Sequence, residues 1–538
     1  MIFRFDAVGC KSSVTVPGPA AQRRTAHVCD NNGFMRRILL FLLAASVVFA
    51  QPADLDSWVN RTLKEFEVPG IAVGIVKDGK VVTAKGYGVR KLGDLGRVDE
   101  HTVFGIASNT KAFTAAALGI LVDEGKVNWD DAVQKHLPGF SLYDPLVTRD
   151  ITLRDLLCHR TGLGLGAGDL LFWPDTDVTR AQVVAGARFI RPASSFRGRY
   201  HYNNLTFVVA GEVIAAASGK PYDDFVRERI MTPLGMTESR IGFEPGPNVA
   251  VPHSRGWRLE GELTPIAPTK DMTWAAAAGV KSNVTDLVKW LTGHLTGKRP
   301  WSNSVQNEMW QAHTALRVSD PPAALKSTKP NFAAYGLGWS MRDYKGRKIV
   351  THGGALTGMV SVTYMVPDEG LGIIVLTNQE EGGAMTSIVN HIVDYYFGLP
   401  PQDWIAAFKS VRADQLKKAK EAEAKLTADR ANDTVPSLPL KQYAGEYADA
   451  WYGNIAVTEQ AGKLVLRFSR TPAMVADLSH WHHNTFRAVF RDKTVPDAFL
   501  TFGLDHQGRI DEVTMQAVST LADFSFDYHD LLFRPVRR

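Results

Sequence analysis

The spacing of apolar residues changes several times along the chain, and each change predicts an element. Residues 68–89 form two β-rich runs on either side of Asp78-Gly79. An Asp-Gly pair between alternating apolar runs is a strong hairpin signal. Helical spacing of apolar residues is found over 54–66, 108–124, 151–157, 204–218 and 283–294. The chain therefore begins with a helix and a β-hairpin and continues into a mainly helical middle.

Two pairs of strand-like runs follow this helical middle, over residues 335–354 and 359–379. Strands that precede and follow a helical segment are typical of a single sheet to which both ends of the domain contribute. The pattern therefore predicts an α+β fold, with one antiparallel sheet flanked by helices and a mainly helical subdomain. We assign residues 51–400 to this domain.

The pattern changes again near residue 400. Residues 403–431 read as a charged helix without a wide apolar face, which is typical of a solvated connector between domains. From about residue 440, short alternating runs are interrupted by turn residues, the pattern of a small all-β sandwich or barrel. We therefore predict a helical linker over 401–439 and a C-terminal β-barrel-like domain over 440–538.

The first fifty residues have a different character. Met35-Arg36-Arg37 precedes an apolar run from Ile38 to Phe49, and the small residue Ala50 follows. A basic start, an apolar core and a small-residue end form a secretory signal, and the run is shorter than the ~20 residues of a membrane span. Residues 35–50 are therefore a predicted signal peptide and residues 1–34 a non-native upstream leader. An uncleaved anchor is the alternative to export into the periplasm or the medium.

Composition excludes several functional classes. The formal net charge is +5, but the first fifty residues carry a net +4, so the processed chain is nearly neutral. A nucleic-acid partner is therefore not implied. Of the three cysteines only Cys158 lies beyond residue 50, which leaves no internal disulfide and no paired metal-ligand spacing. We predict neither a metal nor another cofactor.

Ser108 and Lys111 stand at the start of the helix predicted over 108–124, in the motif Ser-Asn-Thr-Lys. Residues i and i+3 lie on one helix face, about 5–6 Å apart. A serine hydroxyl is a weak nucleophile until a base takes its proton, and a lysine with a lowered pKa can be that base. The helix N-terminus also offers N–H groups to a developing oxyanion. Alone, the motif also fits a solvated lysine beside an ordinary helix-start serine.

Two later motifs add candidate residues. A phenol at Tyr202 can shuttle protons beside a lysine, and the amide of Asn204 can orient both lysine and substrate. The sequence His-Gly-Gly ends a predicted strand at Gly354 and is followed by Ala355. Glycines there let the backbone approach a substrate closely. The ring of His352 can hydrogen-bond a substrate carboxylate or Tyr202.

The order Ser-x-x-Lys, Tyr-x-Asn, His-x-Gly resembles the class C β-lactamase and penicillin-binding-protein superfamily, which includes esterases and D-aminopeptidases. The resemblance covers roughly residues 54–398. Five phrases carry it in the same order, at residues 103–138, 151–163, 202–236, 335–339 and 352–359. It implies a β-lactamase/transpeptidase-like fold, and the last hundred residues resemble, more loosely, a small β-barrel domain that often follows such domains.

The resemblance also implies roles. Ser108 is the implied nucleophile that becomes acylated, and Lys111 and Tyr202 share general-base and general-acid duties. Asn204 orients Lys111 and the substrate. The backbone N–H groups of Ser108 and Ala355 form the implied oxyanion hole.

His352 stands where β-lactamases proper usually carry a lysine. Together with Gly354 it is an implied substrate-binding position. A histidine there is commoner in esterase and peptidase-like relatives, so we expect an esterase or a D-amino-acid-specific peptidase rather than an efficient β-lactamase. No acidic residue can be assigned as a separate base for deacylation, so water activation falls to Tyr202.

Two hypotheses follow. The first is a serine hydrolase that forms an acyl-enzyme on esters, amides or β-lactam-like substrates. The second is a protein that captures penicillin or a cell-wall peptide in the same pocket without turnover. Either has a small molecule or peptide as its partner, and the C-terminal domain is a candidate surface for a homo-oligomer.

Overall fold

The computed structural model describes residues 50–242, 246–270 and 272–537. Residues 51–538 form one compact unit. The predicted leader over 1–34 and nearly all of the predicted signal peptide over 35–50 lie outside the described residues. In the part of the chain that is described, no helix is long and apolar enough to cross a membrane.

The first part of this unit is built on an eight-stranded sheet in the order β2-β1-β8-β7-β6-β5-β4-β3. Its pairs are antiparallel. Strand β1 pairs with β2 on one side and with β8, the last strand in sequence, on the other, as predicted for a sheet made by both ends of the domain. The strands are β1 Gly70–Lys77, β2 Lys80–Gly88, β3 Thr314–Ala315, β4 Ala333–Tyr335, β5 Ser340–Tyr344, β6 Arg347–Leu356, β7 Met359–Val366 and β8 Leu371–Thr377.

The turn between β1 and β2 is the predicted hairpin. Asp78 and Gly79 both have positive φ, at 49° and 73°. A two-residue turn with positive φ at both positions matches the twist of the flanking strands. Lys77 pairs with Lys80 directly across it.

Helices cover both faces of this sheet. All eight residues of β1 are buried, and so are those of β7. Ala72 and Val76 pack into one apolar cluster, whereas Ile71, Val73 and Ile75 pack into another on the opposite face. Because strand side chains alternate between faces, a strand covered on both sides is apolar throughout.

The helices of the domain include those predicted from the apolar spacing and several short ones that the pattern did not reveal. They are α1 Leu55–Phe66, α2 Thr110–Asp123, α3 Val133–His136, α4 Pro145–Asp150, α5 Leu153–Leu156, α6 Arg180–Gly186, α7 Leu205–Ser218, α8 Tyr222–Val226, α9 Ala275–Ala278, α10 Val284–Thr296, α11 Asn303–Met309 and α12 Gly382–Tyr396. Helix α10 packs on one face of the sheet, and α12 packs with α1 on the other.

A helix of 25 residues, α13 Trp404–Ala428, and the short α14 Leu440–Tyr443 lead to the second part of the chain. That part is a closed antiparallel barrel, as predicted. Its strands are β9 Gly445–Asp449, β10 Gly453–Gln460, β11 Lys463–Phe468, β12 Val475–His482, β13 Thr485–Phe490, β14 Ala498–Leu504, β15 Ile510–Ala517 and β16 Leu532–Pro535.

The barrel packs directly against the first domain. One apolar cluster runs from Phe113 of α2 to Phe502 and Phe533 of the barrel strands. An ion pair between Arg470 and Asp177 ties the two parts at their surface. The segment between β15 and β16 contacts the first domain and forms part of the wall of a cleft.

Candidate active site

Ser108 lies on a tight turn that leads into α2. Ala107, just before it, has a positive φ of 49°. An alanine in this left-handed region is uncommon and strained, which is a feature of residues that hold functional groups in place. Residues Ala107–Asn109 form a single 3-10 turn, and α2 begins at Thr110. The side chain of Ser108 is partly exposed and lines a cleft.

Lys111, one turn further along, is fully buried. Its Nζ lies 3.0 Å from Ser108 Oγ, 2.6 Å from Asn204 Oδ1 and 3.1 Å from the carbonyl oxygen of Ala277. The last two atoms can only accept hydrogen bonds. A neutral amine has two N–H groups and one lone pair, so these two acceptors leave the lone pair facing the serine hydroxyl.

Burial lowers the pKa of Lys111 to about 7, and the negative charge of Asp169 opposes this shift. An ammonium group loses its hydration in an apolar site, which favours the neutral amine. A large share of Lys111 is therefore uncharged near neutral pH.

Tyr202 packs over the same amine, with its ring centroid 4.8 Å from Lys111 Nζ. Burial raises the pKa of the Tyr202 phenol well above its usual value, and an interaction of its side chain with Ser108 opposes that rise. The phenol keeps its proton at neutral pH. His159 Nδ1 accepts a hydrogen bond from the backbone N–H of Asn203, which fixes the segment carrying Tyr202.

Asn204 joins the amine to a carboxyl group that the sequence did not single out. Its Oδ1 accepts from Lys111, and its Nδ2 donates to Asp169 Oδ2 at 2.8 Å. Asp169 is fully buried, and burial raises its pKa to about 7. No local motif marks this aspartate, because it becomes a neighbour of Asn204 only through folding.

His352 lies in the cleft wall, and both of its ring nitrogens contact protein groups. Its Nδ1 lies 2.6 Å from the carbonyl oxygen of Gly353, so Nδ1 carries the proton. Its Nε2 then accepts from the hydroxyl of Tyr335 at 2.8 Å rather than from Tyr202. Burial lowers the pKa of His352 to about 3, so the ring is neutral at ordinary pH. Tyr335 was not recognised as its partner.

Gly354 and Ala355 bring strand β6 against the serine turn. A Cβ on Gly354 would lie 2.2 Å from the carbonyl oxygen of Ile106 and 2.6 Å from Ser361 Oγ. This glycine therefore allows a close approach to the turn before Ser108, whereas the sequence indicated an approach to substrate. Gly353 and Ala355 are exposed and line the cleft.

The cleft in front of Ser108 has a volume of about 650 Å³, which suits a small molecule or a short peptide. Aromatic residues form much of its lining, among them Trp173, Tyr200 and Trp257. The barrel domain supplies another wall through Asp523 and Phe524, and the Phe524 ring lies 5.6 Å from that of Tyr202, edge to face.

The charged side chains that line this cleft, within the described ranges, are the carboxylic acids Glu380 and Asp523. Glu380 is mostly buried, which raises its pKa, and its Oε2 accepts from Ser254 Oγ at 2.9 Å. Across the described residues, no cluster of three or more His, Cys, Asp or Glu side chains is arranged to hold a metal ion.

Comparison with known proteins identifies the family. Residues 55–393 match the profile of the family described as Beta-lactamase, and residues 429–535 match a domain of unknown function, DUF3471. The first match spans most of the chain. The protein therefore belongs to the β-lactamase family, as its motifs predicted.

Hydrolases are among its relatives. The chain is 29% identical over 423 residues to the unguisins hydrolase ungD' of Aspergillus campestris, which covers 75% of this chain and 77% of that protein. It is 28% identical over 331 residues to protein flp of Staphylococcus aureus, covering 60% and 62% of the two chains.

Solved structures confirm the fold class. The octameric penicillin-binding protein homologue from Pyrococcus abyssi superposes with a TM-score of 0.57 at 22% identity, over 89% of this chain and 99% of that one. A structure of SurE with D-Leu gives a TM-score of 0.51 at 19% identity, over 90% and 98%.

Proposed function

We propose that the protein is a serine hydrolase that forms an acyl-enzyme on Ser108 with ester or amide substrates. The observation that carries the proposal is the 3.0 Å distance between Lys111 Nζ and Ser108 Oγ, in a setting where the other two contacts of the amine are acceptors. A buried neutral amine in hydrogen-bond reach of a hydroxyl is the arrangement that activates a serine.

In the acylation step, Lys111 takes the proton of Ser108, and Oγ forms a bond to the substrate carbonyl carbon. The carbonyl oxygen becomes an oxyanion, which we assign to the backbone N–H groups of Ser108 and Ala355. When the tetrahedral intermediate collapses, the bond to the leaving group breaks, and the leaving group takes a proton. Donors aimed at a developing oxyanion stabilise the transition state strongly in a site that excludes water.

Tyr202 is the proposed donor of that proton. Its phenol stays protonated at neutral pH because burial raises its pKa, and it lies against both the amine and the serine. The proton held by Lys111 then returns to Tyr202. In deacylation the same groups work in reverse, with water in place of the leaving group, so that Tyr202 and Lys111 together activate the water.

The cleft favours neutral or cationic substrates. His352 is uncharged, and both of its ring nitrogens already have partners. Glu380 and Asp523 add negative potential to the walls. The carboxylate that penicillins carry beside the β-lactam ring would meet repulsion rather than a cation. We therefore propose esters and amides, peptides included, before β-lactams, and the relative named unguisins hydrolase supports a hydrolytic reaction.

We also propose export of the protein, because residues 35–50 have the order of charges and apolar residues of a secretory signal. Amino-terminal sequencing of the protein recovered from outside the cytoplasm tests this, with Gln51 as the expected first residue.

The proposed reaction is tested with a chromogenic ester and a fluorophosphonate probe. We expect a burst of product, with covalent label on Ser108 found by mass spectrometry, and loss of both in Ser108→Ala. Ser218→Ala, which removes a half-buried hydroxyl at the last residue of α7, is the matched control and keeps both. The absence of label on Ser108 in the unmodified protein would refute the proposal. A stable adduct without turnover would favour the non-hydrolytic capture protein instead.

A further inference from the structure

A chain of hydrogen-bonded side chains, buried except at its two ends, runs from the proposed nucleophile to the barrel domain. Lys111 donates to Asn204, and Asn204 donates to Asp169 Oδ2. The same carboxylate oxygen accepts from Ser525 Oγ at 2.8 Å. Ser525 belongs to the segment between β15 and β16, more than 350 positions away along the sequence from Asp169. The site therefore has a component that the second domain supplies.

Asp169 determines which way the amide of Asn204 points. A carboxylate accepts only, so the amide must turn its NH₂ toward Asp169 and its oxygen toward Lys111. The opposite orientation would place NH₂ against the amine and oxygen against the carboxylate. Without Asp169, Asn204 has no fixed preference, and the lone pair of Lys111 loses the geometry that aims it at Ser108.

The carboxylate also compensates the charge that Lys111 gains during acylation. Its negative charge raises the pKa of Lys111, in opposition to burial. The charge of Lys111 and the hydrogen bonds from Asn204 and Ser525 lower the pKa of Asp169, again in opposition to burial. An opposite charge nearby favours the charged form of each partner.

The other titratable groups around the pair stay in one state while Lys111 titrates. Burial lowers the pKa of His159 and of His352, so both rings are neutral, and burial keeps Tyr202 protonated. On the far side, Asp523 and Asp527 face Asp169. The charge of Asp523 raises the pKa of Asp169, and burial together with the charge of Asp169 raises the pKa of Asp527 well above its usual value.

The barrel domain fixes Asp169 from both sides. Asp527 accepts the backbone N–H of Gly168 at 2.7 Å and that of Leu170 at 3.3 Å, directly before and after Asp169. Ser525 holds the side chain of Asp169 by donating a hydrogen bond to its carboxylate. The position of the carboxylate therefore depends on the domain interface.

We infer that Asp169 is a positioning residue for the proposed reaction, that it orients Asn204 and balances the charge of Lys111, and that the C-terminal barrel holds it in place through Ser525. This rests on the proposed function of Ser108.

The pH profile of kcat/KM distinguishes this role from mere packing. In Asp169→Asn, loss of the negative charge lowers the pKa of Lys111, so the acidic limb moves to lower pH by about one unit. Ser525→Ala raises the pKa of Asp169 by removing a hydrogen bond, and gives a smaller shift in the same direction. A purely structural role predicts a uniform loss of kcat/KM with the limb unmoved, and that result would overturn the inference.

Two controls match these variants. Thr520→Ala removes an exposed hydroxyl from the same barrel segment. Asp286→Asn neutralises an equally buried carboxyl that accepts from Ser239 and is not part of the cleft lining; both variants leave the limb in place. A downward shift in Asp286→Asn as large as that in Asp169→Asn would show that the effect is not specific to Asp169 and would overturn the inference.

A second measurement does not need turnover. In Ser108→Ala, with lysines labelled at the ε carbon, NMR follows the titration of Lys111, identified by its loss in Lys111→Gln. We expect titration near pH 7, and a lower value when Asp169→Asn is added. If Ser108 proves not to be acylated, the proposed function fails while this titration still decides the role of Asp169. An unchanged titration would overturn the inference even in an active enzyme.

Discussion

Two eight-stranded β-structures lie in the described part of this chain, and they bury their strands by different means. The sheet of β1–β8 is open and has helices on both faces, so strands such as β1 and β7 are buried along their whole length. The barrel of β9–β16 closes on itself, and β13 alternates between partly buried and buried residues at every step. A closed barrel has no edges and needs only one apolar side per strand.

The difference separates two tasks. The open sheet needs helices against its faces. Helix α2, which packs among other helices, has Lys111 in its first turn and follows the turn that carries Ser108. The barrel buries the inner side of its strands by closing on itself and needs no covering helices. Its segment between β15 and β16 extends into the cleft. The first domain thus holds the proposed chemistry, and the second supplies a wall and a buried contact. Four experiments test this division.

The largest effect is expected from Lys111→Arg. Arginine keeps its proton in proteins and cannot act as a base, so acylation of Ser108 should fall by about 1000-fold. Lys126→Arg, at an exposed position just after the same helix, keeps full activity. Probe-labelling rates measure both. Retained acylation in Lys111→Arg would show that Lys111 is not the base, and α2 would then no longer be assigned the base of the reaction.

Aspartate substitutions compare the two β-structures themselves. Ala72→Asp and Val73→Asp should each lower the free energy of unfolding by about 4 kcal/mol. These two adjacent residues are both fully buried, on opposite faces of the open sheet. In the barrel, Leu500→Asp should cost a similar amount, and Thr501→Asp, at an exposed position, little. Urea denaturation gives the values. Equal sensitivity at Leu500 and Thr501 would contradict the one-sided burial of the barrel.

The pH dependence locates the base in the first domain. Because only neutral Lys111 can accept a proton, kcat/KM should reach a plateau above its pKa of about 7 and fall about tenfold per pH unit below it. The phenol of Tyr202 stays protonated across this range. His352→Gln should leave the limb near pH 7, since the pKa of His352 is lowered to about 3. A limb that disappears in His352→Gln would transfer the role of base to the imidazole.

A pair of glycine substitutions isolates the barrel wall. Gly166 has a φ of 70°, and a Cβ there would lie 2.5 Å from the carbonyl oxygen of Phe524. Gly125 has a φ of 68° with no atom within 4 Å of such a Cβ. Either change to alanine strains the backbone by about 1 kcal/mol. Gly166→Ala should also displace the barrel segment and lower kcat/KM by about tenfold.

Steady-state kinetics and thermal unfolding of the two glycine variants separate the effects. Equal kinetics in Gly166→Ala and Gly125→Ala would show that the barrel segment can move without consequence for the reaction.

Much of the architecture could be predicted from periodicity. Apolar spacing over 204–218 predicted α7, Asp78-Gly79 predicted the first hairpin, and alternating runs from residue 440 predicted a small β domain. The short helices α4 and α11 were missed, because six or seven residues give too few turns for a period to stand out.

The sequence by itself determined which residues carry reactive groups, since the three-residue spacing of Ser108 and Lys111 places them about one helical turn apart by local geometry alone. Their environment was decided by the tertiary structure. Burial sets the pKa of Lys111, folding selects Tyr335 as the partner of His352, and the domain interface brings Ser525 to Asp169. These contacts join residues remote along the chain, and both desolvation and hydrogen bonding depend on distance in space rather than on separation in sequence.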